Sequence, residues 1–243
     1  MKKSLFLTVL ASGGGKTYNQ QIIDTAPIAY WPFNELSGAA AINYGTLGAA
    51  ANGAYTGATL AQIAAPGGGL APLFDGVNDF CDLYSAAFAG AFNPALGSMA
   101  VWFRTVAGLS SGVILSIRTD DTNRVIIKHV ADTTGDFNLE YNAGGTAETS
   151  STYDATTGAW YHAVVTWSVA ADQVIFYVNG AQLGVTATGL GTWVGALNAA
   201  RCTAGCYSTS ATLDYNGYIA HPALWDKVLT PTEILTMYNG GLG

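Results

Sequence analysis

Apolar and polar residues alternate with a period of two along much of this chain, which is the pattern of β-strands. The stretch 160–167 predicts one long strand of this type. Val165 and Trp167 share one face of the predicted strand, and His162 and Thr166 share the other. An aromatic and aliphatic face of this kind is expected to point into a core.

A second apolar stretch, residues 174–178, predicts a strand that is apolar on both faces, as expected for a central strand. Asn179-Gly180 follows directly and favours the tight two-residue turn of a β-hairpin. Further strands, separated by turn residues, are predicted at 27–35, 71–75, 78–84, 98–105, 112–119, 124–130, 137–142 and 213–225, the last interrupted at Pro222.

One helix is predicted near the end of the chain. Thr230 is a suitable N-cap, Pro231 suits the first helical position, and Glu233 completes a capping box. Asn239-Gly240 is expected to end the helix. The buried stripe is predicted to consist of Ile234, Leu235 and Tyr238.

Roughly a dozen strands and one short C-terminal helix, with no internal repeat, indicate an all-β jelly-roll sandwich. A chain of 243 residues is long enough for one large domain of this class. We assign residues 27–243 to this domain and residues 1–26 to an N-terminal arm or linker. The glycine run 13–15 before Lys16 lacks the first glycine of a phosphate-binding loop, because Leu10 stands there, so it is interpreted as a linker.

The composition limits the partners. Charged residues make up only 10% of the chain, so small polar residues must form most of the surface. A net charge of −7 with scattered basic residues argues against nucleic-acid binding. No apolar run reaches the ~20 residues of a membrane span. Such a surface suits a protein that works in a large assembly or outside the cell.

The first residues leave two interpretations open. Met1-Lys2-Lys3 and the apolar stretch to Ala11 have the layout of a secretory signal, although the apolar part is short for one. In the other interpretation this segment is retained and docks on a neighbouring protein. The first places the protein outside the cell, and the second places it in an assembly such as a virus particle.

Three cysteines are an odd number, which argues against a complete disulfide framework. Cys81 lies in a predicted strand and is expected to be a buried thiol. Cys202 and Cys206 either form a disulfide in an oxidising compartment or remain two free thiols, and the sequence leaves both open. Two cysteines without a nearby histidine do not predict a metal site.

Seven segments, in order, resemble the laminin G-like, concanavalin A-like jelly-roll family, and together they cover residues 27–240. The resemblance implies a concanavalin A-like sandwich that serves as a binding or structural module. Such modules occur in extracellular adhesion proteins, beside glycosidases and in phage particles. The segments are 29–38 (AYWPFNELSG), 74–80 (FDGVNDF), 99–103 (MAVWF), 160–167 (WYHAVVTW), 174–180 (VIFYVNG), 215–220 (YNGYIA) and 229–234 (LTPTEI).

Catalysis is not expected. Glycosidases need two carboxylates close together, which on a strand means acids two residues apart. None of the four glutamates, Glu35, Glu140, Glu148 and Glu233, has such a neighbour. His162 stands where the family resemblance implies a structural histidine, and we assign no catalytic residue.

Calcium is the one cofactor that the resemblance suggests. Asp75, Asn78 and Asp79 carry oxygens of the kind that calcium prefers, and Asp120 with Asp121 forms a second candidate pair. The alternative is that these side chains only set the geometry of turns.

Three aromatic residues are candidates for stacking on a sugar. Tyr153, Trp193 and Tyr207 lie in polar, glycine-rich or serine-rich contexts and are expected to be exposed. The alternative is that each belongs to the core or to an interface.

Two functions are therefore predicted. The first is a non-enzymatic structural or decoration protein of a phage particle, on the capsid surface or in a tail or fibre. Its arm 1–26 would bind other virion proteins in an oligomer or large assembly, and it would adhere to host glycans. The second is a secreted or cell-surface lectin-like adhesion module that binds carbohydrate.

Overall fold

The computed structural model describes residues 16–106, 111–131, 135–145 and 149–243. Within this part the helices are α1 (Tyr18–Asp24), α2 (Ala86–Ala91) and α3 (Pro231–Leu242), and a 3₁₀ turn spans Gly48–Ala51. None of these helices is long and apolar enough to cross a membrane. The strands are β1 (Ala29–Tyr30), β2 (Ala40–Ala41), β3 (Gly53–Thr56), β4 (Thr59–Ala64), β5 (Leu70–Asp75), β6 (Phe80–Asp82), β7 (Leu96–Thr105), β8 (Gly112–Arg118), β9 (Arg124–His129), β10 (Phe137–Asn142), β11 (Thr149–Tyr153), β12 (Tyr161–Ser168), β13 (Gln173–Val178), β14 (Ala181–Ala187), β15 (Thr203–Ala204) and β16 (Asn216–Trp225).

The strands form two antiparallel sheets, which confirms the predicted all-β sandwich. Sheet I has the order β14-β13-β12-β7-β16-β5-β4, and β1 also pairs with β16. Sheet II has the order β11-β10-β9-β8-β15-β6-β3-β2. Neighbours such as β7 and β16 are far apart in the chain, so the sheets depend on long-range pairing.

The predicted hairpin connects β13 to β14. Asn179 and Gly180 have φ angles of 51° and 79°, the left-handed values that a two-residue hairpin turn requires. Val165 of β12 pairs with Phe176 of β13, and β7 lies on the other side of β12. The long predicted strand 160–167 is therefore an interior strand of sheet I.

A hydrophobic core fills the space between the two sheets. Its largest side chains are aromatic, and most of them are at most 2% exposed. Burial of each such side chain contributes about 1.5–3 kcal/mol relative to leaving it in water. The core aromatics include Trp31, Phe33, Phe74, Phe88, Phe103, Phe137, Tyr141, Trp167 and Tyr215.

A second apolar layer covers part of the outer face of sheet I. Helices α1 and α3 pack on this face and on each other, and they bury Trp102 and Trp225 of the sheet. Ile22 of α1 and Ile234 and Met237 of α3 supply the helical side of this layer. Sheet I is therefore apolar on both faces over this region, as predicted for β13.

Helix α1 belongs to the predicted arm. Thr17 caps it by accepting a hydrogen bond from the Gln20 amide, and Tyr18 and Ile22 are buried. Residues 16–26 thus pack on the sandwich. Residues 1–15 lie outside the described residues, so the division into an arm and a domain stays a prediction.

Helix α3 begins as predicted, with both hydrogen bonds of the Thr230–Glu233 capping box present. The expected end at Asn239-Gly240 is wrong, because the helix continues to Leu242. A Cβ atom on Gly240 would lie 2.1 Å from Oε1 of Gln21, and one on Gly241 would lie 2.5 Å from the Trp102 ring. These glycines therefore allow close packing instead of ending the helix.

Strand β16 is irregular where Pro222 predicts an interruption. Its register with β7 shifts between Ala220 and Ala223, and His221 has a φ of 56°. The His221 ring is buried, with Nε2 2.8 Å from the Pro66 carbonyl and Nδ1 2.8 Å from the Tyr30 hydroxyl. The irregularity thus directs the polar His221 ring toward the second apolar layer, beneath α1.

The two outermost strands of sheet I, β14 and β4, contain no charged residue. Each has a register shift against its neighbour, β13 or β5 respectively. The shifted segments contain Gly184 with a φ of 67° and Ala61 with a φ of 56°. Bulges, rather than charges, therefore interrupt these edges.

Candidate functional site

The outer face of sheet I has a half-buried part beside the helical layer. It lies where β7 ends and β16 begins, and it carries Arg104 and Tyr218. Trp160, just before β12, packs against the same outer layer and is also half-buried. This part of the sheet presents two aromatic rings and one cation to solvent.

Arg104 and Tyr218 lie directly opposite each other on the paired strands β7 and β16. The guanidinium carbon is 5.9 Å from the centroid of the Tyr218 ring. A cation at this distance is attracted by the electrons of the ring face. The pairing therefore holds the guanidinium beside an aromatic surface.

Arg104 has no acidic partner among the residues that the structure describes. Its Nε atom is covered by protein and meets no hydrogen-bond acceptor there. The other three arginines of the chain are paired with acids: Arg118 and Arg201 with Asp121, and Arg124 with Glu140. Arg104 is thus the one arginine whose charge is not paired with a carboxylate among the described residues.

An open cleft of about 240 Å³ lies beside this arginine. The turn that forms one wall is fixed by a 2.9 Å hydrogen bond from the Gly158 amide to the Thr105 carbonyl. Gly158 has a φ of 82°, which favours glycine at this position. We call this site the Arg104 cleft, and it is lined by Arg104, Thr105, Val106, Thr157, Gly158 and Tyr218.

The two central residues of the cleft are not among the site residues that the sequence predicts. Arg104 and Tyr218 are far apart in the chain, and only the pairing of β7 with β16 brings them together. One signal was available, because Arg104 is the single charged residue in the otherwise apolar or neutral strand β7. A charge in an apolar strand needs either a partner or solvent.

The structure leaves each of the three predicted sugar-stacking residues half-buried. Tyr153 packs against Phe137 and Tyr161 at ring-centroid distances of 5.3 and 5.6 Å. Trp193 packs against Phe92 at 5.2 Å. These two rings therefore serve partly as core.

Trp193 and Tyr207 each retain a polar contact. The Trp193 indole nitrogen donates to Thr119 Oγ1 over 3.1 Å, and its ring lines an apolar pocket of about 120 Å³. The Tyr207 ring lies under the Arg118 guanidinium, 3.2 Å from centroid to carbon, and its hydroxyl donates to Asp121 over 2.6 Å. Sugar binding by these residues stays a prediction.

The predicted calcium ligands form hydrogen bonds within their own turn. Asp75 accepts from the Val77 amide over 2.8 Å, and Asp79 accepts from the Asp75 amide over 3.0 Å, while Asn78 is exposed. Burial, together with the nearby Asp75 charge, raises the pKa of Asp79. The described residues contain no cluster of three His, Cys, Asp or Glu side chains suited to a metal ion. Calcium binding at this turn stays a prediction.

The second candidate calcium pair, Asp120 and Asp121, also forms hydrogen bonds and ion pairs within the protein. Asp120 accepts hydrogen bonds from the Thr122 amide over 2.7 Å and from Asn123 over 3.0 Å. The hydrogen bond from Tyr207 and the charges of Arg118 and Arg201 lower the pKa of Asp121. Both carboxylates thus stabilise the loop between β8 and β9.

All three cysteines are free thiols in the structure, so no disulfide joins Cys202 to Cys206. The two thiols point to different carbonyls, that of Asn198 for Cys202 and that of Ser208 for Cys206. Burial raises the pKa of both thiols to about 12. Thiols that remain protonated at neutral pH are weak nucleophiles.

The buried histidines are packed side chains. The His162 ring lies 4.9 Å from the Trp102 ring, and burial together with the His221 charge lowers the His162 pKa to about 3. Burial lowers the pKa of His221 to about 4. Both rings are therefore neutral near pH 7.

The described glutamates also have structural partners. Glu35 accepts hydrogen bonds from the Ile42 amide and the Tyr55 hydroxyl, both over 2.8 Å. Glu140 pairs with Arg124 and Lys128, and Glu233 caps α3. Glu148 lies outside the described residues.

An open pocket of about 490 Å³ lies where α1, α3 and the loop at Gly67 meet. Glycines form half of its lining, and its one basic side chain, Lys16, is paired with Asp24. The Tyr18 ring faces Gly67 so closely that a Cβ atom there would lie 2.2 Å from it. This pocket offers backbone surface but no unpaired charged side chain.

Comparison with known families gives one match, over residues 75–235. The family is described as the concanavalin A-like lectin/glucanases superfamily. Both Arg104 and Tyr218 lie in the matched range. No functionally curated protein matches the chain.

Two solved structures have a similar fold. The binding domain of botulinum neurotoxin serotype D is 12% identical, with a TM-score of 0.65 over 90% of this chain and 53% of its own. A sialidase from Trypanosoma rangeli is 13% identical, with a TM-score of 0.63 over 88% of this chain and 32% of its own. The chain spans about half of the toxin domain and about a third of the sialidase. At these identities the shared property is the fold.

Proposed function

Because this chain belongs to the concanavalin A-like lectin/glucanase superfamily, we propose that it is a non-catalytic carbohydrate-binding module. The sugar binds in the Arg104 cleft. The observation that carries this proposal is the Arg104–Tyr218 pair, which places a half-buried aromatic ring beside an arginine that has no acidic partner among the described residues.

The chemistry of the pair suits a sugar. A pyranose ring presents apolar C–H groups on its faces and hydroxyl groups at its edge. The Tyr218 ring offers a flat surface for the C–H groups, and Trp160 extends the aromatic surface on the same sheet face. The Arg104 guanidinium supplies several N–H donors for the hydroxyl oxygens. Ligand sites commonly combine such an apolar surface with a few polar groups.

The residues that line the cleft also support a binding role without catalysis. They include no Asp, Glu or His, the groups that would serve as acid or base in sugar hydrolysis. A module of this kind binds its ligand and leaves it unchanged. The secreted or cell-surface lectin-like adhesion module predicted from the sequence has these properties.

The virion hypothesis has no comparable support. The two similar structures named above are a toxin domain and a sialidase, and neither is a virus-particle protein. Attachment to a particle through residues 1–26 therefore stays a prediction.

A glycan array tests the proposed function with three proteins. Wild type is expected to bind a defined group of glycans, and Tyr218→Ala is expected to lose this binding. Tyr44→Ala is the matched control, because the Tyr44 side chain is 52% exposed and lies outside the cleft lining. Absence of binding by wild type, or full binding by Tyr218→Ala, would contradict the proposal.

Trp193→Ala distinguishes this cleft from the apolar pocket. If that variant alone loses binding, the sugar binds beside Trp193 and the assignment to the Arg104 cleft is wrong. Thermal unfolding of each variant checks that the fold is intact.

A further inference from the structure

We propose that the sugar held in the Arg104 cleft carries a carboxylate, and that the Arg104 guanidinium binds this group. The inference rests on the proposed carbohydrate binding and adds the chemical class of the ligand. Uronic acids and other sugars with a carboxyl group belong to this class.

The first argument is the balance of charge in the chain. The sequence contains 16 acidic residues and nine basic ones, so acids outnumber the groups that can pair with them. The three other arginines each bind a carboxylate of the protein. Arg104 has none among the described residues, although the protein as a whole is acidic. A positive charge kept free in this way is available to an anion from outside.

The second argument is the lining of the cleft. Beside Arg104 it contains only neutral residues, so no carboxylate of the lining competes with an incoming anion. Arg104 is also half-buried, and its Nε atom is covered without an acceptor. A covered cation interacts more strongly with an anion than one in open water does. The cleft therefore favours an acidic ligand over a neutral one of the same shape.

The third argument is geometry. A guanidinium presents parallel N–H groups that match the two oxygens of a carboxylate, and such charge-assisted pairs are roughly twice as strong as neutral hydrogen bonds. The Tyr218 ring, 5.9 Å from the guanidinium carbon, lies beside the position of this pair. A carboxylate on Arg104 thus places the attached sugar ring next to Tyr218. One ligand uses both residues.

The deciding experiment is a glycan array in two forms, with full-length wild-type protein. One form carries native glycans, including neutral, sulfated and carboxylated ones. In the other, the carboxyl groups are converted to methyl esters. We expect the bound glycans to be carboxylated and their binding to be lost on esterification. Bound glycans that are neutral or sulfated, or binding that survives esterification, would overturn the proposal.

Variants then assign the effect to Arg104. Arg104→Gln is expected to weaken binding of the native acidic glycan at least about ten-fold, toward the level at which wild type binds the methyl ester. Arg104→Lys retains the charge but lacks the planar pair of donors, so an intermediate affinity is expected. Lys16→Gln removes the same charge beside the other large pocket and should bind as wild type does. Binding of the native acidic glycan by Arg104→Gln with wild-type affinity would contradict the role of Arg104.

Failure of this proposal is distinguishable from failure of the proposed function. Wild type that binds neutral glycans through Tyr218, with no preference for acids, would overturn the acidic ligand and keep the carbohydrate-binding module. Wild type that binds no glycan in either form would overturn both. The comparison of native with esterified glycans uses wild type alone, so it remains decisive if an Arg104 variant fails to fold.

Discussion

The indole nitrogen of Trp102 donates a 2.8 Å hydrogen bond to the hydroxyl of Tyr18. Both side chains are buried, so neither group has water as an alternative partner. Two further polar groups of the sheet I layer bind α1 or its C-cap. The Trp225 indole donates to Thr25 Oγ1 over 2.8 Å, and the Tyr30 hydroxyl donates to Asn19 Oδ1 over 2.6 Å. Helix α1 and its C-cap thus supply hydrogen-bond partners to three buried polar groups of this layer.

Tyr18→Phe should destabilise the protein by about 1–3 kcal/mol, because it leaves the Trp102 N–H buried without an acceptor. Urea unfolding followed by tryptophan fluorescence measures this loss. Tyr44→Phe removes a hydroxyl from an exposed tyrosine and should change stability little. An unchanged unfolding midpoint for Tyr18→Phe would show that the hydrogen bond does not support the fold.

Removal of α1 should have a larger effect. A truncation of residues 2–26 is expected to be at least ~4 kcal/mol less stable than a truncation of residues 2–15, since it also exposes the apolar surface that Tyr18 and Ile22 cover. Urea unfolding of the two truncated proteins, side by side, gives the difference. Equal midpoints would mean that residues 16–26 act only as an arm.

Acid should weaken the packing beneath the helices. The folded-state pKa of His162 is lowered to about 3 and that of His221 to about 4, below the ordinary value of 6.5. The unfolded chain therefore binds more protons, and stability is lost as pH falls below about 6.5 toward these folded-state values. At pH 5 we expect each histidine to cost about 2 kcal/mol relative to pH 7.5.

His162→Gln isolates this effect. The variant removes one of the two rings whose pKa is lowered. The histidine contribution to the pH dependence of its unfolding free energy, between about pH 5 and 7.5, should therefore be about half that of wild type. Chemical unfolding at several pH values gives both slopes. Identical slopes for the two proteins would contradict the assignment to His162.

Gly241→Ala should destabilise the contact between α3 and sheet I. A Cβ atom at this position would lie 2.5 Å from the Trp102 ring, and such overpacking costs about 1–3 kcal/mol. Gly90→Ala is the matched control in α2, because nothing lies within 4 Å of its Cβ position. The control should be neutral or slightly stabilising, by up to ~1 kcal/mol. Thermal unfolding compares the two, and equal effects would show that space at Gly241 is not limiting.

The predictions that proved correct were based on sequence patterns a few residues long. The alternation in residues 160–167, the Asn179-Gly180 turn and the Thr230–Glu233 capping box each act within a few residues, so the sequence displays them directly. Helix α1 has only a weak local signal, the Thr17 cap with Gln20 three residues later. It is short, and its stability comes from Tyr18 and Ile22 packing on a sheet that the rest of the chain must first build.

The site is harder to predict than the fold for a related reason. Arg104 and Tyr218 become neighbours only through the register of β7 with β16, which no local pattern encodes. Tyr153 and Trp193 sit in polar sequence contexts but pack partly against the core. Polarity of nearby residues therefore said little about where each ring points.

The uncharged edge strands of sheet I determine how this protein resists edge-to-edge aggregation. Unpaired edge strands recruit further strands, and most proteins repel them with lysine or another charge. Here β14 and β4 depend on the backbone irregularities at Gly184 and Ala61. A substitution that straightened either segment would leave the folded domain intact and create a template for filament growth at high concentration.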